Sequence, residues 1–329
     1  MKLTVLGAGA WGTALAAHWA LSHDVTLWAR SASDLDSLRS QRVNVRYLPE
    51  CPLPATLRFN ADFHAAIADA TLIVIAVPST ALRATLAALA QRSQLPPILW
   101  VCKGFEAGSR KLPHQVLDEL LPHQAAGVLS GPSFALEVAQ GRPTALTLAS
   151  RDVALAHQLA ETLSGQRLRI YAHDDVTGAE VGGALKNVMA IAAGVCDGLQ
   201  LGHNARAALV TRGLAEMTRL GVRLGGQAET FMGLSGLGDL ILTTTGDLSR
   251  NRQVGLRLAQ GQPLDAILND LGHVAEGVTT AREVAALAQE VQVEMPIVQT
   301  VCQMLFEHMP ASQAVDALLN REIKAEFRT

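Results

Sequence analysis

A doubly wound α/β sheet followed by an all-helical second half is the fold this sequence predicts, and three observations carry it. Up to residue 175, short apolar and β-branched runs alternate with helical patterns, as strands and crossover helices do. Beyond His173-Asp174-Asp175 the strand signal disappears, and helical stretches separated by Gly- or Pro-containing loops follow. The 329-residue length exceeds the roughly 100 to 200 residues of one domain, so two domains are expected, 1–175 and 176–329.

In the first half, strands are expected over residues 2–6, 24–29, 56–59, 72–77, 98–102, 127–130, 144–149 and 168–172. Helices are expected over 10–21, 80–90, 112–120, 134–140 and 153–163. The second half opens at 176–199 with a segment of small residues that is apolar on nearly every face, which reads as a buried central helix between the domains. A later helix is expected to begin at Thr280, where Glu283 three residues on completes a capping-box pattern.

Composition removes several function classes. With 49% hydrophobic and 17% charged residues the chain is not a disordered one. A balance of 27 Lys+Arg against 30 Asp+Glu offers no global reason to bind nucleic acid or an anionic membrane, so any anion must be held locally. Cys51, Cys102, Cys196 and Cys302 are far apart and suggest neither a metal site nor a disulfide framework. The start of the chain lacks signal-peptide features, and the longest wholly apolar stretches, 72–77 and 188–196, fall short of the ~18 residues a bilayer requires. A soluble, cytoplasmic protein is expected.

Gly7-Ala8-Gly9-Ala10-Trp11-Gly12 is a GxGxxG that ends a strand and opens a helix, the context that makes this motif a Rossmann-type dinucleotide site. Gly7 permits the tight turn, Gly9 lets main chain approach a pyrophosphate, and Gly12 allows close helix packing, while the helix start offers N–H groups to the anion. The second strand ends in Arg30-Ser31 with no carboxylate before Asp34. A guanidinium and a hydroxyl suit a 2′-phosphate, so NADPH is the favoured cofactor and NADH a second one. Val77-Pro78-Ser79 closes another strand and should face the cofactor's far side, with Ser79 alternatively a plain N-cap.

Chemistry is expected from charged residues in apolar or strand-end settings. Lys103 follows a strand in Lys103-Gly104-Phe105-Glu106, which places an ammonium at the cleft. Lys186-Asn187 interrupts the apolar central helix, and burying a lone ammonium requires a paired anion or a ligand, so Lys186 is a candidate acid/base; pairing with Glu180 is the bland alternative. Gly233-Leu234-Ser235-Gly236-Leu237-Gly238-Asp239 delivers one carboxylate, Asp239, which could orient Lys186 or merely cap a helix. Ser249-Arg250-Asn251-Arg252 precedes a helical stretch over 253–260, where a Ser249 cap, free N–H groups and Arg250 would converge on a phosphate. Ser130-Gly131-Pro132-Ser133 offers a similar start with Ser133 as cap or substrate contact. All ten histidines, His173 included, read as structural or solvated.

Taken in order, GAGAWG, VPS, CKGFE, SGPSFA, GGALKNVMAIAAG, GLSGLGDLILT, SRNRQVG and VAEGVTT resemble, over nearly the whole chain, bacterial NAD(P)-dependent glycerol-3-phosphate dehydrogenases. The resemblance implies a two-domain architecture like that of 6-phosphogluconate dehydrogenase, interconversion of dihydroxyacetone phosphate and sn-glycerol 3-phosphate for phospholipid synthesis, and a homodimer. It implies cofactor contacts from Trp11, Arg30, Ala135, Val274 and Glu276, with Lys103 between cofactor and substrate. Gly131, Ser133, Asp239, Ser249, Arg250 and Asn251 would bind the substrate, Arg250 touching the cofactor as well. Lys186 would be the catalytic acid/base, with Asn187 and Thr243 near it. Position 11 carries Trp where some relatives have another aromatic, and the segment between Asp239 and Ser249 varies in length. A dehydrogenase for a different ketone or β-hydroxyacid, and a dinucleotide-sensing module without chemistry, are the competing readings.

Overall fold

The protein is described by a computed structural model covering residues 1–271 and 275–319. Ten strands form in the first half: β1 (Lys2–Leu6), β2 (Asp24–Trp28), β3 (Val43–Asn44), β4 (Leu48–Pro52), β5 (Arg58–Asn60), β6 (Leu72–Ile75), β7 (Ile98–Trp100), β8 (Ala126–Ser130), β9 (Thr144–Ala149) and β10 (Leu168–His173). Eight of them make one sheet in the order β10-β9-β8-β7-β6-β1-β2-β5. Residues 72–75 of β6 are wholly buried because helices cover both faces of the sheet, which is why the strand reads as an unbroken apolar run.

Register decides where the chemistry gathers. Leu6 stands opposite both Trp28 and Ile75, and Ile75 stands opposite Trp100. The carboxyl ends of β1, β2, β6 and β7 are therefore level, and the turns after them open along one edge. Those turns carry the glycine motif, Arg30, Pro78-Ser79 and Lys103.

The sheet departs from the expected uniform winding at one pair. β8 and β9 run antiparallel, so β9 and β10 oppose the other six strands. The connection between β8 and β9 holds only the five-residue helix Ala135–Ala139, which packs on the first helix rather than crossing the sheet. A parallel return needs a crossover over the sheet face, and none is available here.

Three elements had no strong apolar period and emerge only in three dimensions: the β3–β4 hairpin and the helices Ala32–Gln41 and Phe63–Ile67. Ser31 caps the first of these helices, accepting from Asp34 N–H at 3.2 Å, so the hydroxyl expected to face a 2′-phosphate is engaged locally.

Past β10 every described element is helical. The central helix runs Val176–Gly198, capped by Asp175, whose carboxylate accepts from Gly178 N–H at 2.7 Å, Thr230 Oγ1 at 2.6 Å and Gln227 N–H at 2.8 Å. By length and composition it could cross a membrane, yet its apolar window is wholly buried inside the protein, where it forms the axis of the second half. The helix Arg250–Ala259 lies directly on it, because a Cβ at Gly194 or Gly255 would overlap the carbonyl of Arg252 or Ile191. The expected helix start at Thr280 is displaced to Glu276, with Ala275 in the cap position. Thr280 is buried one turn inside the helix, so the Thr280–Glu283 spacing is coincidental.

Candidate active site

The glycine turn has the geometry that a pyrophosphate cradle needs. Gly7 adopts φ +122°, and a Cβ there would press on the Ala76 carbonyl. A side chain on Gly12 would overlap the Gly7 carbonyl, so the helix Ala10–Trp19 seats against the turn. Gly9 is different: a Cβ on it would meet nothing within 4 Å, and Gly9 is the helix N-cap with no side chain to satisfy the first N–H groups. Open space, free donors and a helix start together fit a dinucleotide diphosphate. Trp11 and Ala135 each pack against the apolar cluster of Ala14, Leu48, Cys51 and Val138. Arg30 is exposed just past β2.

Three charged residues from distant segments meet across the cleft. Asp239 is fully buried, and its Oδ1 accepts from Lys186 Nζ at 2.5 Å while its Oδ2 accepts from Lys103 Nζ at 2.6 Å. Asp239 is the first residue of the helix Asp239–Thr245, whose cap position is Gly238; the carboxylate is a bridge between two ammonium groups and not a cap. Thr243 Oγ1 donates to the Asp239 carbonyl at 2.7 Å one turn on, steadying it. Burial pulls the Lys186 ammonium down to a pKa of about 8; the Asp239 charge opposes that fall and the Lys103 charge adds to it. Glu180, the alternative partner of Lys186, is occupied elsewhere: its buried carboxylate takes Trp100 Nε1 and His114 N–H, both at 2.9 Å, and the His114 ring.

Lys103 also reaches the Gly131 carbonyl at 3.4 Å, an oxygen that accepts from Ser133 Oγ at 3.1 Å as well. Ser133 is not a helix cap; Phe134 holds that position, and the Ser133 hydroxyl closes the turn after β8. Ser79 likewise sits inside its helix, after Pro78 in the cap position. Gly104 is wedged between Ser79 and Thr280, which places the Lys103 turn against both halves of the molecule.

Ser249, Arg250 and Asn251 stand together at one helix start. Ser249 caps the helix Arg250–Ala259, accepting from Arg252 N–H at 3.3 Å. Arg252 is tied to Asp197 at 2.7 Å and Asp247 at 2.9 Å, whereas no hydrogen bond or ion pair engages the exposed Arg250 guanidinium among the described residues. Asn251 is buried: its Nδ2 donates to Asn187 Oδ1 at 3.0 Å and its Oδ1 accepts from Gly277 N–H at 3.1 Å, pinning two helix starts to the central helix beside Lys186. Glu276 opens the last of these helices, and burial pushes its carboxyl up against the opposing charges of Arg250, Lys103 and Lys186. Val274 lies outside the described residues.

Sequence reasoning missed two features next to this site. The Glu180–His114–Trp100 cluster joins β7 to the central helix, and only the length of a buried acidic side chain in an apolar helix could have hinted at it. Asn44 of β3 hydrogen-bonds to the glycine turn, at 3.0 Å to the Ala8 carbonyl and 2.8 Å to Thr13 Oγ1, with no motif to announce it.

Comparison with known proteins shows the family. Residues 2–156 match the family described as NAD-dependent glycerol-3-phosphate dehydrogenase N-terminus, and residues 175–316 match its C-terminus. A glycerol-3-phosphate dehydrogenase [NAD(P)+] of Thiobacillus denitrificans is 75% identical, over 99% of this chain and 100% of that one. Another, of Nitrosospira multiformis, is 59% identical over 99% of this chain and 100% of that one. The crystal structure of the Coxiella burnetii glycerol-3-phosphate dehydrogenase superposes with a TM-score of 0.93 at 43% identity, covering 97% of this chain and 99% of that one.

Proposed function

Because the chain belongs to the NAD-dependent glycerol-3-phosphate dehydrogenase family, we propose that it interconverts dihydroxyacetone phosphate and sn-glycerol 3-phosphate, with Lys186 as the acid/base. The observation that carries this is a buried ammonium with a pKa near 8, held 2.5 Å from Asp239 at the same sheet edge as the glycine turn. Its electrostatic setting suits proton transfer near neutral pH. A module that only senses the dinucleotide would have no use for it.

Gly7, Gly9 and Gly12 hold the diphosphate, with Trp11, Ala135 and Glu276 lining the pocket and Val274 beside Glu276 in sequence. Arg30 serves the ribose end and favours NADPH, NADH remaining usable. When bound, the reduced nicotinamide supplies the hydride to C2 of the ketone. The chain's own residues do the rest. Arg250, Ser249 and Asn251 at their helix start hold the substrate phosphate, which fixes the C2 carbonyl near Lys186. The Lys186 ammonium gives its proton to the C2 oxygen as negative charge develops there, and in the reverse direction the neutral amine takes it back. Lys103 adds a second positive charge to that oxygen, Gly131 and Ser133 shape the turn beneath it, and Asp239 keeps both lysines aimed. Residues 1–175 form the dinucleotide domain and 176–329 the substrate domain. The enzyme works in the cytoplasm on a small phosphate, and a homodimer is the expected assembly.

The test is loss of reduced-nicotinamide absorbance when the purified chain meets dihydroxyacetone phosphate, beside a β-ketoacid of similar size. Turnover confined to the phosphate substrate, and reduced by about 10² to 10⁴ in Lys186→Ala with dinucleotide binding nearly intact, is expected. Retained turnover in Lys186→Ala would remove the acid/base assignment.

A further inference from the structure

The β3–β4 hairpin reaches the glycine turn through a single buried side chain. Asn44 is 5% exposed, and its carboxamide is fully engaged: Nδ2 donates to the Ala8 carbonyl at 3.0 Å and to Thr13 Oγ1 at 2.8 Å, while Oδ1 accepts from Tyr47 N–H at 3.3 Å. Two amide hydrogens meet two acceptors, so neither is left for another partner.

The Ala8–Gly9 peptide is planar and trans, so its carbonyl and its N–H point in opposite directions. Anchoring the Ala8 carbonyl on the hairpin therefore aims the Gly9 N–H away from it. The turn is open beside this peptide, since a Cβ built on Gly9 would meet nothing within 4 Å. Thr13 stands on the first turn of the helix, buried with 0% exposure, so the same amide ties the turn to the helix start. The hairpin does not depend on this contact for its seat, since Leu48 and Cys51 of β4 pack with Ala14 and Val138 and against Trp11.

We propose that Asn44 is the positioning residue of the diphosphate cradle: its carboxamide, delivered by the hairpin, fixes the Ala8–Gly9 peptide so that the Gly9 N–H is preset to donate to a dinucleotide diphosphate. The proposal rests on the dinucleotide reading of the glycine turn. It makes a demand that reading does not. The diphosphate is common to NADPH and NADH, so loss of the amide weakens both by one factor, whereas a change at Arg30 acts on the 2′-phosphate alone.

The experiment is equilibrium titration of the purified chain with NADPH and with NADH, followed by nicotinamide fluorescence, for wild type, Asn44→Ala and Asn44→Asp, with melting temperatures in parallel. Asn44→Ala is expected to raise both dissociation constants about fivefold to tenfold, the scale of one or two net hydrogen bonds, with their ratio unchanged. Asn44→Asp keeps the shape but turns an oxygen toward the Ala8 carbonyl and adds negative charge behind the cradle, so its loss should be at least as large, with the dinucleotide KM rising more than kcat falls. The Asp variant also decides the matter if the Ala variant does not fold. A lower melting temperature with both dissociation constants unchanged would reduce Asn44 to a structural residue and overturn the proposal, and so would a loss confined to NADPH. Wild-type protein that binds neither dinucleotide would instead remove the dinucleotide reading, and this proposal with it.

Discussion

The glycine turn at residues 7–12, the proposed diphosphate cradle, and the charged cluster around Asp239, the proposed reaction centre, are made of different materials. The cradle is main chain: Gly7, Gly9 and Gly12 contribute conformation and space, and the helix start offers neutral N–H groups. The centre is side chain: Lys103, Lys186 and Asp239 are charged and nearly or fully buried, with side-chain exposures of 14%, 10% and 0%. A neutral cradle carries no ionisable group and should bind over a wide pH range. A buried charged centre is held by mutual neutralisation, so its behaviour depends on proton concentration and on every partner being present.

Asp239→Asn tests that contrast most severely. Two ammonium groups would then share a buried space with no anion, and we expect kcat to fall by about 10² or more while dinucleotide affinity changes little. The pH profile gives the sign. Ketone reduction needs protonated Lys186 and should decline as pH rises through about 8, whereas alcohol oxidation needs the neutral amine and should climb over the same interval. Asp239 opposes the fall of the Lys186 pKa, so its removal should move both limbs toward lower pH. Rate profiles with limbs that stay in place in Asp239→Asn would show that another group titrates.

The cradle is tested by two alanines that differ only in what they meet. Gly9→Ala adds a methyl to open space, so the melting temperature should hold while the dinucleotide dissociation constant rises about tenfold or more. Gly12→Ala drives its methyl into the Gly7 carbonyl and should cost about 1–3 kcal/mol of stability as well as binding. If Gly9→Ala melted early and bound normally, the open space would not be the ligand's. The smallest effect belongs to the exposed Arg30: Arg30→Ala should shift the NADPH to NADH affinity ratio by about threefold, leaving NADH unaffected.

Legibility followed the range of the interaction. The glycine motif, the Ser249 cap and the buried central helix were readable because each depends on neighbours within one or two turns. Lys186 is legible as an anomaly, a charge in an apolar helix, with Asp239 and Glu180 as candidate partners; that Asp239 is the one chosen, and takes Lys103 as well, is not legible. Asp239 is 53 residues away and Lys103 a further 83 before Lys186 in the chain, since Lys103 and Asp239 are 136 apart. Nothing local distinguishes Asp239 as an anion shared by two lysines from Asp239 as a cap. The Thr280–Glu283 pattern shows the reverse error: correct local spacing overruled by the helix starting at Glu276.

By itself the sequence determined the alternating sheet half, the helical half, the position of the glycine turn and the family to which the chain belongs. These are written in periodicity, turn residues and ordered motifs. Only tertiary structure decided that β9 and β10 reverse direction, that Glu180 serves Trp100 and His114 instead of Lys186, and that the hairpin brings Asn44 under the Ala8 carbonyl. Each of these outcomes is a competition among distant partners for one buried polar group or one strand edge. Burial makes an unpaired group too costly to leave, and packing geometry, which no local window contains, selects the partner.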